Sequence, residues 1–507
     1  MSRTDETVKN YIVILITEIV VFLMGLWCRA LFVQKIGSYF LGINGLLTSI
    51  FQILALSNLG LGDALAYSMI QAYAHKNNDR IAGIYNFSKL VYKIIIVILL
   101  ILAIGMAFLC PLFVRDVNDF KRFYLYYIIF ILSKLVTYCA GPYSTVLRAD
   151  QKIRVMKKGE LAGYILTTLL QIIFMYVIPS YALYLSCMVL ASIITNLYVK
   201  KIFKKDYSWL IDQEKEITDE DKKKIAIRVK DVFISRLSSA AVDSTDNILT
   251  SKFVGLQLVG IYSNYTMIVI NIRSLAKNLY TSMESGLGNV NALSNKKEIA
   301  IFYRKILLGY QVIAVVLSAC IYVLIQDFIR IWLGNEYLLS QPVLLVLIID
   351  LYVNILMYAQ TCFINTTDLF TEVKTVYFVG AVINVIMSII LGLKMGLFGI
   401  LFATLFSRLV CNFPIGLYLL CKKQMEATWI KEILRCIFYL CQMFAIGYLI
   451  NYVLRGFYVS NYFVWIIKAI IAFILSFLSV VLLNIRNKDL KFYKEKILYI
   501  LKKHGVK

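Results

Sequence analysis

The stretch Gly37-Ser-Tyr-Phe-Leu-Gly-Ile43 has a counterpart 218 residues later, Gly255-Leu-Gln-Leu-Val-Gly-Ile261, in which both glycines and the isoleucine are repeated. Four more identities keep this offset: Ala74 with Ala292, Asn77 with Asn295, Ile81 with Ile299, and Tyr85 with Tyr303. Chance supplies one or two such matches, whereas seven within a 49-residue span indicate a duplicated unit. Both copies lie in apolar sequence, which predicts two bundles of membrane helices. Parallel halves of this kind are typical of transporters that hold their substrate where the halves meet.

The composition places the chain among membrane proteins. Its 507 residues are 60% hydrophobic, and the mean hydropathy is +0.75. Apolar runs of about 20 residues, the length that crosses a bilayer, follow one another from Tyr11 to Asn484. The longest connector, 204–224, is charged and too short for a core of its own. The expected fold is therefore an all-α polytopic membrane protein with about 14 transmembrane helices.

Basic residues fall on every second connection between the apolar runs, which predicts the orientation. They cluster near residues 148–158, 200–224, 296–297 and 422–423 and in the tail 486–507, whereas the connections near Gly37, Pro179, Leu256, Gly396 and Ser460 carry few. The positive-inside rule then places both termini in the cytoplasm, which requires an even number of spans. The net charge of +23 largely reflects this bias, so the expected neighbours are acidic membrane lipids and not nucleic acid. The tail has apolar residues at helical spacing among lysines, which predicts an interfacial helix.

Several kinds of chemistry are disfavoured by what the chain lacks. It has two histidines, His75 and His504, and ten scattered cysteines without a Cys-x-x-Cys pair, so no metal site is expected. No glycine-rich loop ends in Lys-Ser or Lys-Thr, which argues against ATP hydrolysis. We therefore expect a transporter without a cofactor, not an enzyme.

The informative residues are the charges that lie inside apolar runs. A charge at mid-membrane depth costs a few kcal/mol, so it usually faces protein or a wet cavity. Six basic residues are predicted to bind substrate in a cavity: Arg29, Lys89, Lys93, Lys134, Arg236 and Arg273. Four acidic residues are candidates for ion coupling or gating: Asp63, Asp243, Asp246 and Asp350.

These assignments have structural alternatives. The seventh apolar run carries polar residues spaced three or four apart, on one helical face: Arg236, Ser239, Asp243, Asp246 and Thr250. Such a stripe lines water or substrate, or else forms a hydrogen-bonding seam between helices. Arg29 is equally compatible with a pair between neighbouring helices, and Lys93 with a side chain that extends toward the membrane surface. Lys134 and Asp350 are 216 residues apart, close to the repeat offset, and form either a pair across the cavity or a coincidence.

Cations outnumber acids slightly among these positions, and the excess continues into the predicted cytoplasmic mouth. Such a field attracts an anion, and arginine's planar donors match phosphate or pyrophosphate. The 35 tyrosines offer rings that contact sugars, or serve as interfacial anchors.

Several motifs resemble those of Wzx-type polysaccharide flippases of the MOP exporter superfamily, and the likeness runs along nearly the whole chain. The first half carries four of them: Arg29-Ala-Leu-Phe-Val-Gln-Lys-Ile-Gly37, Tyr39-Phe-Leu-Gly-Ile-Asn-Gly45, Leu56-Ser-Asn-Leu-Gly-Leu-Gly62 and Arg148-Ala-Asp-Gln-Lys152. The second half carries two: Val259-Gly-Ile-Tyr-Ser-Asn-Tyr265 and Ile331-Trp-Leu-Gly-Asn-Glu-Tyr337. The resemblance implies two six-helix lobes plus two C-terminal helices, and a cationic cavity with an arginine on the first helix, a role that Arg29 could fill. It also implies transfer of an undecaprenyl-pyrophosphate-linked oligosaccharide between the leaflets of a bacterial cytoplasmic membrane by alternating access.

With that architecture the chain is divided as follows: an N-terminal lobe 1–203, a cytoplasmic linker 204–224, a C-terminal lobe 225–421, two further helices in 422–484, and a basic tail 485–507. The expected partners are the lipid-linked oligosaccharide, membrane lipids and other polysaccharide-assembly proteins. A multidrug or cation antiporter of the same superfamily is the alternative, and it should have an acid-dominated cavity. A polytopic polysaccharide polymerase should have large outward loops with catalytic groups.

Overall fold

A computed structural model of the chain describes residues 3–55, 61–114, 119–150, 152–211, 213–293, 295–367, 369–487, 489–490 and 493. Within these ranges, the side chains of 3–16, 63, 74, 153–155, 228, 230–243, 279–293 and 370–371 are not described. Every regular element of the described residues is a helix. The chain divides into two compact units, Met1–Gly260 (unit 1) and Ile261–Lys507 (unit 2).

Unit 1 contains ten helices among its described residues: α1 (Arg3–Lys35), α2 (Ser38–Leu54), α3 (Leu61–Ala74), α4 (Asn78–Phe113), α5 (Phe120–Tyr138), α6 (Gly141–Ala149), α7 (Ile153–Val177), α8 (Tyr181–Asp206), α9 (Ser208–Ile211) and α10 (Asp219–Phe253). Helix α11 (Leu256–Leu293) begins in unit 1 and continues into unit 2. Within unit 1, α1 packs on α7, α7 and α5 pack on α8, and α10 packs on α2.

Unit 2 continues with six helices: α12 (Lys296–Trp332), α13 (Gln341–Asn365), α14 (Phe370–Ser407), α15 (Phe413–Lys423), α16 (Trp429–Val453) and α17 (Tyr462–Leu483). A π-helical segment, Arg408–Asn412, joins α14 to α15. Gly396, with φ 58°, interrupts α14, so two apolar helices meet there. Helix α12 is the centre of unit 2, because α13, α16 and α17 all pack on it.

Nine helical segments of the described residues are long and apolar enough to cross a membrane, or ten if α5 and α6, bent by 41°, form one span. The prediction of an all-α polytopic membrane protein is confirmed, while the count of about 14 spans remains a prediction. The five connections predicted to be poor in basic residues coincide with breaks between helices or, at Gly396, with the break inside α14. The helix ends joined by lysine-rich connections are called the basic side below.

The duplicated sequence folds in the same way at both sites. Gly37 and Gly255 both have positive φ, 101° and 124°, and each interrupts a helix. Because side chains with a Cβ rarely adopt this conformation, glycine is required at both positions. Asn77 and Asn295 both cap the helix that follows, each accepting the backbone N–H three residues on at 3.0 and 2.9 Å. The repeat inferred from the sequence is therefore a repeat of local structure.

A charged connector between α9 and α10 is tied to the first turns of α4. Asn86 Nδ2 donates to the carbonyls of Gln213 and Lys215 at 2.7 and 3.0 Å. Arg80 forms a two-point ion pair with Asp221, at 2.6 and 3.0 Å. Burial alone would raise the pKa of Asp221, but the hydrogen bonds from Arg80 and Thr218 outweigh it and hold the pKa below its ordinary value. The start of α10 is thereby fixed on α4.

Most of the basic tail lies outside the described residues. Tyr493 is described, and its hydroxyl donates to the carbonyl of Lys305 in α12 at 2.9 Å. A Cβ on Gly309 would lie 2.4 Å from the same hydroxyl oxygen. The absence of a side chain at Gly309 therefore makes room for Tyr493 against α12.

Candidate functional site

Arg29 lies where α1 packs against α7 and α8. Its neighbour Cys28 is buried, and the Cys28 Sγ lies 3.6 Å from Oε1 of Gln171 in α7. Gln171 Nε2 in turn donates to the carbonyl of Tyr184 in α8 at 3.1 Å. Tyr184 also interacts electrostatically with Arg29. These contacts link α1, α7 and α8 beside the half-buried Arg29, and so hold its part of α1 in place.

Two of the predicted cavity lysines contact aromatic rings of their own helices. Lys134 Nζ in α5 lies 5.1 Å from the centre of the Phe130 ring, and Lys89 Nζ in α4 lies 4.8 Å from the Tyr85 ring. Both side chains are half-buried, and neither has an acidic partner among the described residues. Because a ring face satisfies charge without accepting a conventional hydrogen bond, the ammonium donors remain available for an anion. Lys93, one turn beyond Lys89, is exposed.

The polar stripe predicted on the seventh apolar run falls in α10 and is described only in part. Asp246 and Thr250 are buried, whereas the side chains of Asp63, Arg236 and Asp243 lie outside the described residues. On the adjoining face of α10, Ser244 donates to Gln52 and Asn247 donates to Ser49, both at 3.0 Å. These bonds form a neutral seam between α10 and α2. Polar residues beside the predicted stripe, Ser244 and Asn247, therefore serve to join α10 to α2.

In unit 2, Asp350 has an ionic partner that the sequence analysis did not predict. Its carboxylate pairs with the guanidinium of Arg408, and the two side chains are 20% and 10% exposed. Asn354 Nδ2 donates to the same carboxylate at 3.0 Å. Within unit 2 the charge of Asp350 is thus neutralised by Arg408, and the pair with Lys134 remains a prediction. Arg273, in α11, is half-buried.

Arg408 is the first residue of the π-helical segment, inside an apolar run that spans the membrane. Single π-helical turns widen a helix locally and occur often at functional sites. An ionised arginine inside a membrane span needs a counter-charge, which Asp350 supplies. The sequence shows Arg408 as the one arginine within the apolar stretch 401–411. It was nevertheless not among the predicted site residues.

Two more buried charge clusters were missing from the sequence predictions, and both attach the last two helices to α12. Near the basic side, Arg304 lies 2.8 Å from Oε1 of Glu432 in α16, whose side chain is 1% exposed. At the other end of α12, Lys468 Nζ in α17 lies 2.8 Å from Oδ2 of Asp327. The available signals were the single lysine inside the apolar helix α17 and the single acid among the basic residues at the start of α16.

The charges described above are distributed unequally. In unit 2 the carboxylates of Asp327, Asp350 and Glu432 are each paired with a cation. In unit 1, Lys89 and Lys134 have aromatic neighbours instead of acids. In unit 1, the two lysines are therefore available to donate to an anionic ligand. In the three unit 2 clusters, no acid is left unpaired to attract a cation.

Two cavities in unit 2 separate α16 from its neighbours, and neither suits a charged ligand. One, of about 150 Å³, is lined by side chains such as Tyr352, Phe413 and Ile437. The other, of about 240 Å³, is lined by side chains such as Ile348, Met443 and Phe444. No charged residue lines either cavity. Among the described residues, no group of three or more His, Cys, Asp or Glu could hold a metal ion.

No protein-family model and no curated protein sequence matches the chain, but solved structures share its fold. The lipid II flippase MurJ in an inward closed conformation is similar over 94% of this chain and 99% of its own, with a TM-score of 0.71 and 15% identity. An inward-facing multidrug resistance transporter of the MATE family and MOP superfamily is similar over 79% and 97%, with a TM-score of 0.63 and 15% identity. A MOP superfamily transporter from Pyrococcus furiosus, described as having a binding pocket of reversed polarity, is similar over 79% and 92%, with a TM-score of 0.55 and 14% identity. At these identities the likeness establishes the fold, which is that of MOP superfamily transporters.

Proposed function

We propose that the chain is a flippase that moves an undecaprenyl-pyrophosphate-linked oligosaccharide across the bacterial cytoplasmic membrane by alternating access. The observation that carries the proposal is the pair of half-buried lysines, Lys89 and Lys134, whose ammonium groups face aromatic rings and have no acidic partner among the described residues. A substrate with two phosphates would supply the missing negative charge. The fold shared with a lipid II flippase supports a lipid-linked substrate.

In this mechanism the pyrophosphate would first meet Lys89 and Lys93, which lie in the first half of α4 near the basic side. It would then bind at Arg29 and Lys134, while the polyprenyl tail stays in the bilayer. Arg29 is suited to hold a phosphate because its backbone is fixed by the Cys28–Gln171–Tyr184 contacts and its guanidinium offers planar paired donors. Arg236 and Arg273 are also among the residues proposed to bind the pyrophosphate.

The acidic candidates have lesser roles in this proposal. Asp350 is neutralised by Arg408, so it would act in holding one conformation instead of attracting substrate. Asp63, Asp243 and Asp246 remain candidates for coupling transport to H⁺ or Na⁺. Both termini would be cytoplasmic, as would the connector tied to α4, and other polysaccharide-assembly proteins would be neighbours in the membrane.

The alternatives fit the described residues less well. A cation antiporter should present acids to its cavity, yet Asp327, Asp350 and Glu432 are all paired. A polymerase should carry a large outward loop with catalytic groups. The connection between α12 and α13 comprises only residues 333–340 and includes a short 3-10 turn.

The test is flipping of a defined lipid-linked oligosaccharide in liposomes that contain the purified chain. We expect Lys134→Gln and Arg29→Gln each to slow flipping by about 10- to 100-fold, because a charge-assisted hydrogen bond is worth about 1.5–3 kcal/mol. Lys200→Gln, which removes an exposed lysine at the end of α8, is the matched control. Normal flipping by the Lys134 and Arg29 variants would refute the assignment of the anion site.

A further inference from the structure

The two charge clusters that attach α16 and α17 to α12 are built in the same way, although they lie at opposite ends of α12. Each has one carboxylate, one cation from a neighbouring helix, and one arginine three residues after the acid on the acid's own helix. The members are Glu432, Arg304 and Arg435 near the basic side, and Asp327, Lys468 and Arg330 at the other end. Because two cations share one acid, each cluster keeps an excess positive charge.

The same-helix arginine is the cation that each cluster could spare. The cation from the neighbouring helix already lies 2.8 Å from the acid in both clusters, and one counter-charge neutralises a carboxylate. The side chains of Arg435 and Arg330 are 32% and 37% exposed. A guanidinium carries several N–H donors, and a single Nη of each of these arginines bonds to the acid. Both arginines therefore have donors left for a second acceptor.

The spacing of the two clusters matches the two surfaces of a membrane. Arg304 and Asp327 are 23 residues apart on the one helix α12, or roughly 35 Å at a rise of about 1.5 Å per residue. The hydrocarbon core of a bilayer is about 30 Å thick, so both clusters reach the headgroup regions. Trp429 in the first turn of α16 and Trp465 in the first turn of α17 support this depth, because tryptophan is enriched at both interfaces. Each donates its Nε1–H to a backbone carbonyl, at 3.0 and 3.1 Å.

Both arginines also adjoin apolar surface of the kind that faces lipid. Arg435 lies next to Leu434 and Phe438 on α16, and each of these two side chains is 58% exposed. Beside Arg330, the hydroxyl of Tyr462 donates to the carbonyl of the next residue at 3.4 Å, and the Tyr462 side chain is exposed. Each site thus combines unused cationic donors at headgroup depth with an apolar surface that continues toward the membrane core. A phospholipid has the matching parts, a phosphate and acyl chains.

We propose that Arg435 and Arg330 bind the headgroup phosphates of two anionic phospholipids, one in each leaflet. The planar donors of arginine match a phosphate, and the excess positive charge of each cluster favours an anionic headgroup over a zwitterionic one. Each lipid lies where one of the last two helices attaches to α12, and so strengthens that attachment. The inference concerns the lipids around unit 2 and does not depend on what the protein transports.

The test measures how many lipid molecules the purified, full-length chain retains in a neutral detergent, by mass spectrometry of the intact complex. Phosphatidylglycerol is compared with phosphatidylcholine of the same acyl chains, and with glycerol phosphate as a free phosphate. The variants are Arg435→Gln and Arg330→Gln. The matched controls are Arg486→Gln and Arg455→Gln, which remove exposed arginines just beyond the ends of α17 and α16, outside both clusters.

We expect each glutamine variant to retain one phosphatidylglycerol fewer than the parent and to bind the lipid at that site about 5- to 10-fold more weakly. The control variants should retain as many as the parent. A glutamine variant that retains the parent number would overturn the site at that arginine. Equal retention of phosphatidylcholine by the parent would overturn the anionic preference. Displacement of the lipid by an equal concentration of glycerol phosphate would show a site for free phosphate instead.

A second pair of variants separates lipid binding from a purely structural role of the two arginines. Arg435→Lys and Arg330→Lys keep the charge beside each acid but lack the planar paired donors. We expect both to unfold at the same temperature as the parent in lipid-free detergent, and to retain less phosphatidylglycerol than the parent. Lysine variants that fold and retain as much of this lipid as the parent would overturn the assignment of the phosphate to the guanidinium groups.

Discussion

Removing one partner of the Asp350–Arg408 pair should be among the most destabilising single substitutions in unit 2. Asp350→Asn leaves a guanidinium that is only 10% exposed, inside a membrane span, without its counter-charge. Breaking a buried pair in this way costs about 3–5 kcal/mol, because the remaining charge stays desolvated. Since the carboxylate itself is only 20% exposed, little of this is recovered by solvent screening. We expect Arg408→Gln to cost a similar amount.

The assay is unfolding of the purified chain in detergent, measured as the fraction of protein that remains folded after heating or denaturant treatment. The double variant Asp350→Asn/Arg408→Gln should be much closer to the parent than either single variant, since no isolated charge remains. The control is the pair between Glu372 and Lys423, whose side chains are 43% and 44% exposed. Breaking that exposed pair should cost only about 0–1 kcal/mol.

The comparison has a clear failing result. If the two single losses simply add in the double variant, Asp350 and Arg408 do not stabilise each other, and the energetic interpretation of the pair is wrong. If both single variants behave like the Glu372 control, the site is wetter than the structure indicates. A double variant that is stable but transports slowly would show that the pair also acts in the conformational cycle.

Three further predictions concern unit 1 and the repeat. Gly42→Ala should lower the free energy of unfolding by about 1–3 kcal/mol, because the added Cβ would lie 1.8 Å from a backbone oxygen. The control Gly105→Ala, whose Cβ would have nothing within 4 Å, should be neutral or stabilising by up to about 1 kcal/mol. Thermal unfolding of both variants checks this. Asn77→Ala and Asn295→Ala should each cost about 1 kcal/mol by loss of equivalent caps, and clearly unequal losses would contradict the local symmetry. The pKa of Asp221 is lower folded than unfolded, so its stabilisation is complete above its unfolded pKa of about 3.9 and is lost as pH falls through the folded value. The stability difference between parent and Asp221→Asn should therefore be constant above about pH 5 and shrink below about pH 4.

The sequence predicted the features that depend on local backbone chemistry. Gly37 and Gly255 were matched by position alone, and both have the positive φ that demands glycine. Asn77 and Asn295 were matched in the same way, and both cap a helix. Apolar runs predicted the membrane helices because their length and hydropathy are set within one segment. Such features need no knowledge of which helices become neighbours.

The side-chain pairs that join different helices could not be predicted in this way. The pairing of Asp350 with Arg408 joins positions 58 residues apart and depends on how α13 and the π-helical segment are rotated about their axes. Periodicity gave the stripe on α10, but the hydrogen bonds of Ser244 and Asn247 come from the face beside it. A small error in helix rotation decides whether a polar residue faces a cavity or a neighbouring helix. The single charges Arg408, Glu432 and Lys468 had no repeat partner to single them out.

The backbones of α2 and α11 approach each other closely at two equivalent glycines. A Cβ on Gly42 would lie 1.8 Å from the carbonyl oxygen of Leu256, and a Cβ on Gly260 would lie 2.2 Å from that of Ser38. This reciprocal contact also constrains how such a chain can arise. In an unfused precursor of half the length, two identical subunits would meet through the same patch, so one glycine codon would serve both sides. A larger residue at this position would therefore clash with the main chain twice, once in each subunit. Fusion gives the two sites separate codons, yet both still encode glycine. Because each faces the other copy's main chain, no compensating side-chain change nearby would relieve a substitution at either one.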